Sequence, residues 1–482
     1  MISVISLRFI LGHIVLGLAL LMIAPCMLAW YLHTADLKAF LTSEVITLGT
    51  GLLLVLAKRP GAPQLRAREI FLLTTTSWLT ICVLGALPFI FSHTVSNFTD
   101  AVFESVSGVT TTGATVLTGI DQLPRDILLW RSMMQWIGGL GIVALGAAVL
   151  PYLRIGGMRL FKAESSDFSE KALPHTRRIL LQLLLVYAAI STACAISYLL
   201  AGMSLFDAIN HAMTTVSTGG YSTHSKSFAY FQSAGVETVA IVFMLIAAVP
   251  FMLYIRMYSG NIRELFHDTQ VHSMLVAYFF IAVILVLWLA VTGDVDVIDS
   301  FREAVFSVVS IGTTTGFVSE DYATWGTFAV IVFFFLTFVG GCSGSTSGGI
   351  KIFRFKIATV MFAETIKRLL HPNVVVARTI QGRPLTDEIM ASVMAFSLAF
   401  AFTVCTAAIL MAAAGNDFVT SFSAAATATA NVGPGIGSNI GPTSDFSALS
   451  QPSKWILCVA MLLGRLEIFT VVALLTPAFW RN

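Results

Sequence analysis

Eight stretches of this 482-residue chain run for 18 to 30 residues without a single Asp, Glu, Lys or Arg: Phe9 to Ala35, Ile70 to Thr99, Ser132 to Leu153, Ile179 to Phe206, Thr238 to Ile255, Thr269 to Gly293, Tyr322 to Ile350 and Ile389 to Asn416. A helix needs about 20 apolar residues to cross the hydrocarbon of a bilayer, so each is long enough to span. Two more qualify with interruptions: Ala39 to Ala57 carries Glu44, and Trp455 to Phe479 carries Arg465 and Glu467. Only 11% of the residues are charged and 56% are apolar, whereas a water-soluble domain carries about 25% charged residues. The chain is therefore expected to be an all-α polytopic membrane protein with ten transmembrane helices. The first run has 27 uncharged residues, more than the short apolar region of a signal peptide, and is expected to stay as a helix.

Ten spans put both termini on one side, and the distribution of Lys and Arg identifies that side. Arg8, the loops 58 to 68, 154 to 178, 256 to 263 and 351 to 383, and Arg481 together hold 21 cationic residues, against six in the alternate loops. Both termini are thus expected in the cytoplasm. The outer loops carry 15 acidic residues, a net of −9, including Asp100, Asp121, Asp207, Asp294, Asp296, Asp321 and Asp417. A vestibule of that sign attracts cations; the alternative reading is that acidic residues simply end helices there.

Several function classes drop out. The 28 Lys and Arg nearly balance the 26 Asp and Glu, which removes the basic excess of a nucleic-acid binder. The six cysteines lie singly, with no Cys-x-x-Cys pair and no His at zinc spacing, so neither a disulfide framework nor a structural metal is supported. A membrane-embedded enzyme lacks its constellation, because the spans contain no Asp pair, no His-Glu-x-x-His and no Gly-x-Ser-x-Gly elbow.

The outer loops repeat. FTDAVFESVSGVTTTGAT (98 to 115), LFDAINHAMTTVSTGGYST (205 to 223), DSFREAVFSVVSIGTTTGF (299 to 317) and FVTSFSAAATATANVGPGIG (418 to 437) each read as a short amphipathic helix of about ten residues, then Thr, Ser or Asn, then Gly. Gly113, Gly220 and Gly316 align without gaps, and one extra residue brings Gly433 into the same column. Such helices are too short to span and should enter the membrane from outside and turn back. Four span, re-entrant helix, Gly loop, span units around an axis make a pore. Non-helical backbone is tolerated at that depth only where protein buries it or it lines water, and its carbonyls can replace a cation's hydration shell. The units are 68 to 153, 154 to 258, 259 to 383 and 384 to 482, after two N-terminal helices in 1 to 67.

VTTTGAT, VSTGGYS, IGTTTGF and ANVGPGIG, with GGCSGSTSGGIK (340 to 351) and MLLGRLEIFT (461 to 470), resemble the Trk/Ktr/HKT superfamily of potassium transporters, in its bacterial TrkH-type branch. The resemblance implies a K⁺-translocating subunit that is not an enzyme, assembled as a homodimer on a cytosolic ring of TrkA-type, nucleotide-binding RCK subunits. It implies no cofactor, with K⁺ as the transported ion. The K⁺ sites would be formed by Thr111, Thr112 and Gly113; Thr218, Gly219 and Gly220; Thr314, Thr315 and Gly316; and Asn431, Val432 and Gly433. In this family Gly at all four central positions goes with K⁺ conduction, and a Ser at Gly113 would crowd the axis. The alternative within transport is a K⁺ symporter coupled to H⁺ or Na⁺, for which Glu44 and Glu467 are the acidic candidates inside spans.

Two features should control flow. Gly340, Gly341, Cys342, Ser343, Gly344, Ser345, Thr346, Ser347, Gly348 and Gly349 hold five glycines, each costing about 1 kcal/mol relative to Ala in a helix, so the seventh span should break there. The resemblance makes this segment an intramembrane loop that blocks the exit below the filter; a close-packed helix interface is the alternative. Arg465 lies in mid-span, where an Arg costs about 2.5 to 3.5 kcal/mol on insertion scales. The resemblance sets it beside that loop. At about 5 Å from the path, with an effective dielectric of about 20, it would repel K⁺ by roughly 3 kcal/mol; otherwise it clamps helix-end carbonyls. Glu467 is two positions away, too near to pair with it along a helix. His211 reads as a packing residue, and the basic segment 351 to 383 suits anionic lipid or a cytosolic partner.

Overall fold

The computed structural model describes residues 4–56, 66–148, 172–258, 260–292, 297–380, 383–437 and 439–481. The cationic loops at 58 to 65 and 154 to 171, together with Asp294 and Asp296, lie outside the described residues. Among the described residues the regular structure is helical apart from a pair of two-residue strands, Thr379–Ile380 and Arg383–Pro384.

Two long helices, α1 (Val4–Leu32) and α2 (Leu37–Leu56), form an N-terminal hairpin. They close up at two glycines: a Cβ on Gly12 would lie 2.9 Å from Leu54 Cβ, and one on Gly51 would lie 2.8 Å from Leu16 Cδ2. Small residues permit that approach between membrane helices. Four units follow. The first is α3 (Ala67–Gly85), the short helix α4 (Phe98–Val109) and α5 (Arg125–Ala148). The second is α6 (Ala172–Leu200), α7 (Leu205–Val216), α8 (Ala234–Ala247) and α9 (Phe251–Tyr258). The third is α10 (Thr269–Thr292), α11 (Val297–Gly312), α12 (Thr327–Leu336) and α13 (Ile352–Leu370). The fourth is α14 (Asp387–Ala413), α15 (Phe418–Ala430), α16 (Gln451–Arg465) and α17 (Phe469–Leu475).

Among the described residues seven helices are long and apolar enough to cross a membrane, and two further spans are bent pairs: α8 with α9 at 88° and α16 with α17 at 112°. Leu20, Leu53, Leu185, Phe279, Phe280, Leu287, Leu398 and Phe402 are exposed on the outside of these helices. So much outward apolar surface suits lipid as the solvent.

Three of the ten expected spans are broken, the seventh among them as expected from its glycines. The Tyr322 to Ile350 run is α-helical only through the ten residues of α12, after a 3-10 turn at Tyr322–Trp325, and its break starts before the glycines, at Thr337. The fifth run breaks at Pro250, which has no N–H to give to the helix ladder. Phe251 N–H, which would otherwise continue that ladder to Ala247, donates instead to Gly344 O at 3.0 Å. The tenth breaks at Glu467 and Ile468, both at positive φ, so Arg465 stands at the end of α16 beside the bend rather than in mid-span.

The four short helices run 12, 12, 16 and 13 residues, slightly longer than the expected ten. Asn97, Ser204 and Asp417 cap α4, α7 and α15, each accepting from the amide three residues on, the usual chemistry of an N-cap. α4 is buried from Thr99 to Val109, with Phe98 at its start exposed.

Candidate functional site

All four short helices end in the same way. Thr111, Thr218, Thr314 and Asn431 take left-handed φ values of 52°, 53°, 61° and 56°. Their amides donate to Gly108 O, Thr215 O, Ile311 O and Ala428 O, and the next amides, of Thr112, Gly219, Thr315 and Val432, reach back to Ser107 O, Thr214 O, Ser310 O and Thr427 O at 2.8 to 3.1 Å. This is the Schellman closure, which normally takes Gly or Asn at the left-handed position. A left-handed L-residue costs about 1 to 2 kcal/mol, and a β-branched one is a genuine outlier. Threonine holding that conformation three times marks a backbone fixed by its surroundings, the usual sign of a functional constraint.

Two residues later Gly113, Gly220, Gly316 and Gly433 have φ of 85°, 79°, 79° and 102°. A Cβ on Gly113 would fall within 3.0 Å of Gly219 O, one on Gly220 within 3.0 Å of Thr315 O, one on Gly316 within 3.0 Å of Val432 O, and one on Gly433 2.6 Å from Thr112 O. Each glycine thus faces the carbonyl that precedes the glycine of the next unit, and the fourth returns to the first. The loops close a ring in sequence order. The twelve residues expected at the filter lie together in it, and Gly433 takes the place in the fourth loop that Gly113, Gly220 and Gly316 take in the others. One detail differs: a side chain at Gly113 would run into the neighbouring loop's backbone, not simply crowd the axis.

The Gly340 to Gly349 segment lies against this ring as non-helical, largely buried backbone. Gly348 N–H donates to Thr314 Oγ1 at 2.6 Å, and Gly349 N–H to Ala430 O at 2.8 Å. Thr346 Oγ1 lies 3.0 Å from Val216 O and 3.1 Å from Ala247 O. The loop therefore touches the C-terminal ends of α7, α11 and α15 at once. Cys342 N–H takes Ala248 O at 2.9 Å, one of the carbonyls at the Pro250 break. A packed helix interface is not what the sequence builds here.

Arg465, buried, reaches the loop: its Nη1 donates to Thr346 O at 2.9 Å. Its Nε and Nη2 have no hydrogen-bond partner among the described residues, and the same holds for Thr111 Oγ1, Ser347 Oγ and Asn431 Oδ1. Buried polar groups ordinarily find a partner, and these atoms are exceptions to that rule. Lys351 Nζ bonds Ser347 O, and Glu467 pairs with Arg354 of α13, a partner that sequence distance concealed. His211 bonds Asp207 O at 2.8 Å and Ser222 Oγ at 2.9 Å, which is the packing role expected.

At the mouth expected to face outward, His224 Nδ1 lies 3.0 Å from Asp121 and its Nε2 3.3 Å from Asp207, with the ring stacked 3.5 Å from that of Tyr230. Burial pulls the His224 pKa down, but the two carboxylates outweigh it and hold it above the ordinary imidazole value. Burial likewise raises Asp121, and its bonds with Ser225 and His224 bring it below the usual range. Lys454 Nζ donates to Asp100 Oδ1 at 2.7 Å, tying α16 of the fourth unit to α4 of the first.

Comparison with known proteins agrees with this geometry. A family model described as a cation transport protein, TrkH, matches residues 37–481. The chain is 43% identical over 474 residues to the Trk system potassium uptake protein TrkI of Halomonas elongata, covering 98% of this chain and 96% of that protein. It is 36% identical to the Trk system potassium uptake protein TrkH of Escherichia coli, covering 98% of each. The crystal structure of the potassium transporter TrkH from Vibrio parahaemolyticus superimposes with a TM-score of 0.92 at 34% identity, covering all of both chains. With a match across nearly its whole length in both sequence and structure, the chain belongs to the TrkH family of cation transport proteins, a family of membrane transporters and not of enzymes.

Proposed function

We propose that the chain is a potassium uptake subunit whose four loops form a selectivity filter of backbone carbonyls. The observation that carries this reading is the closed ring, in which four Schellman-ended helices each present a left-handed residue and a glycine to the next unit. The short helices also aim their negative C-terminal ends at the centre of that ring, where a cation gains from them. The relatives' names support K⁺ as the ion.

In this reading, units 68 to 153, 154 to 258, 259 to 383 and 384 to 482 are the repeats, and the 337 to 351 segment completes the seventh crossing without helix. The Gly340 to Gly349 loop is the gate, held shut by Thr346 and Arg465. The protein acts in the bacterial inner membrane with both termini cytoplasmic, as a homodimer on a ring of TrkA-type nucleotide-binding subunits; that its relatives belong to a Trk system supports a multicomponent assembly. Coupled symport is less favoured, because Glu467 is taken by Arg354 and Glu44 lies on α2, outside the repeats.

Ion binding to the folded ring tests the reading, since a ligand at 100 times its Kd stabilises by about 2.7 kcal/mol. At constant ionic strength, K⁺ and Rb⁺ should raise the melting temperature of the purified protein where Na⁺ does not, and Gly220→Ala should remove the difference. Equal shifts with K⁺ and Na⁺ would overturn it.

A further inference from the structure

One filter position breaks the pattern. The residue before the central glycine is Thr112, Thr315 and Val432 in three loops but Gly219 in the second. The structure gives the reason. A Cβ on Gly219 would fall within 3.0 Å of Cδ, Oε1 and Nε2 of Gln135, a fully buried residue of α5. Gln135 Nε2 donates to Gly219 O at 2.6 Å, and Tyr221 N–H donates to Gln135 Oε1 at 3.0 Å. One side-chain amide therefore holds the backbone on both sides of Gly220, in the only orientation that satisfies both bonds. Among the described residues no other side chain donates to a carbonyl preceding a filter glycine.

Arg131, one turn earlier on the same face of α5, continues the brace. Its Nε pairs with Glu104 of α4 at 2.8 Å, its Nη1 donates to Ser222 O at 3.2 Å, and its Nη2 donates to Thr115 Oγ1 at 3.2 Å. Its guanidinium lies 4.1 Å from the centre of the Tyr221 ring, whose hydroxyl donates to Glu104 O at 3.0 Å. The outer arm of the second loop is thereby tied by side chains to the first.

We propose that Gln135 is a positioning residue for ion selectivity: by anchoring the Gly219 carbonyl it keeps the second loop from closing inward around a cation smaller than K⁺. The inference rests on the reading of the ring as the filter. A smaller ion is satisfied only if carbonyls move toward it, and a carbonyl held by a buried amide cannot follow without breaking that bond. Arg131 keeps the arm that carries Tyr221 in place, so that Gln135 meets it in register.

The experiment compares K⁺ and Na⁺ uptake by purified protein in liposomes for wild type, Gln135→Leu, Gln135→Glu and Gly220→Ala, with melting temperatures alongside. Gln135→Glu keeps the shape and the Tyr221 bond and, once ionised at alkaline pH, gives no donor to Gly219 O, so its uptake is measured there. Both Gln135 variants should lower the K⁺ to Na⁺ uptake ratio by about tenfold, the change that loss of one buried hydrogen bond supports, chiefly through faster Na⁺ uptake. If Gly220→Ala alters the ratio while both Gln135 variants keep it and only melt earlier, Gln135 is structural and the proposal fails. If none of the three alters the ratio, the filter reading itself fails. Gly219→Thr alone should disrupt folding, and adding Gln135→Ala should restore it; failure of the pair to recover would contradict the fit of Gln135 against Gly219.

Discussion

Gly220→Ala is the sharpest perturbation of the ring, because its cost has two separable parts. Alanine at φ of 79° pays about 1 to 2 kcal/mol for the left-handed backbone alone. Its Cβ would also sit within 3.0 Å of Thr315 O, a backbone atom of the next loop that cannot rotate away as a side chain would. Overpacking of this kind adds about 1 to 3 kcal/mol, relieved only by displacing the carbonyl. Gly202 is an internal control: it has φ of 104° and nothing within 4 Å of where a Cβ would go. Gly202→Ala should thus cost only the backbone part and leave selectivity alone. Gly220→Ala should cost about 2 to 5 kcal/mol in all and lower the K⁺ to Na⁺ uptake ratio by about tenfold or more, since about 1.4 kcal/mol of differential binding is a factor of ten. The assay is competitive K⁺ and Na⁺ uptake in liposomes, normalised to folded protein, with a melting curve for each variant. A well-folded Gly220→Ala protein with the wild-type ratio would refute the reasoning, and so would an equal loss of selectivity in Gly202→Ala.

The loop, the buried arginine and the outer histidine give three further expectations. Thr346→Val removes the hydroxyl that bonds Val216 O and Ala247 O, and should raise K⁺ flux without lowering the melting temperature by more than about 3 kcal/mol equivalent, the cost of two hydrogen bonds. Arg465→Ala removes both a charge, worth roughly 3 kcal/mol at about 5 Å, and the bond to Thr346 O, so flux should rise, while Arg465→Lys keeps the charge and should stay nearer wild type. Flux that falls in both Arg465 variants along with the melting temperature would make that residue a clamp only. Because the pKa of His224 is raised in the folded protein, its ion pairing stabilises fully below the unfolded value of about 6.5 and is lost as pH rises through the folded value. The melting temperature should therefore drop across that window in wild type, and His224→Gln should flatten the drop.

Much of this site is written locally in the chain. The four loops could be aligned because the left-handed residue and the glycine two positions later must recur wherever a helix turns back in the same way, and five glycines in ten residues announce the broken span. Other parts depend on partners far apart in sequence. Pro250 was visible, but that its break offers carbonyls to Cys342 and Thr346 follows only from packing. Glu467 and Arg354 are separated by 113 positions, and Arg465 stands at a bend instead of mid-span because the positive-φ turn at Glu467 and Ile468 has no proline or glycine of its own to signal it. Gln135 carries no charge and looks like any polar residue in a helix. Its trace was Gly219, the one loop position where a Thr or Val was replaced by nothing.

If the ring passes K⁺ down its own gradient, radioactive rubidium should enter liposomes that hold the purified protein. With no proton or Na⁺ gradient imposed, uptake should be driven by the outward K⁺ gradient alone, be competed by external K⁺ and not by Na⁺, and increase in Arg465→Ala. Uptake that appears only when a proton or Na⁺ gradient is applied would contradict the claim and identify the protein as a coupled symporter.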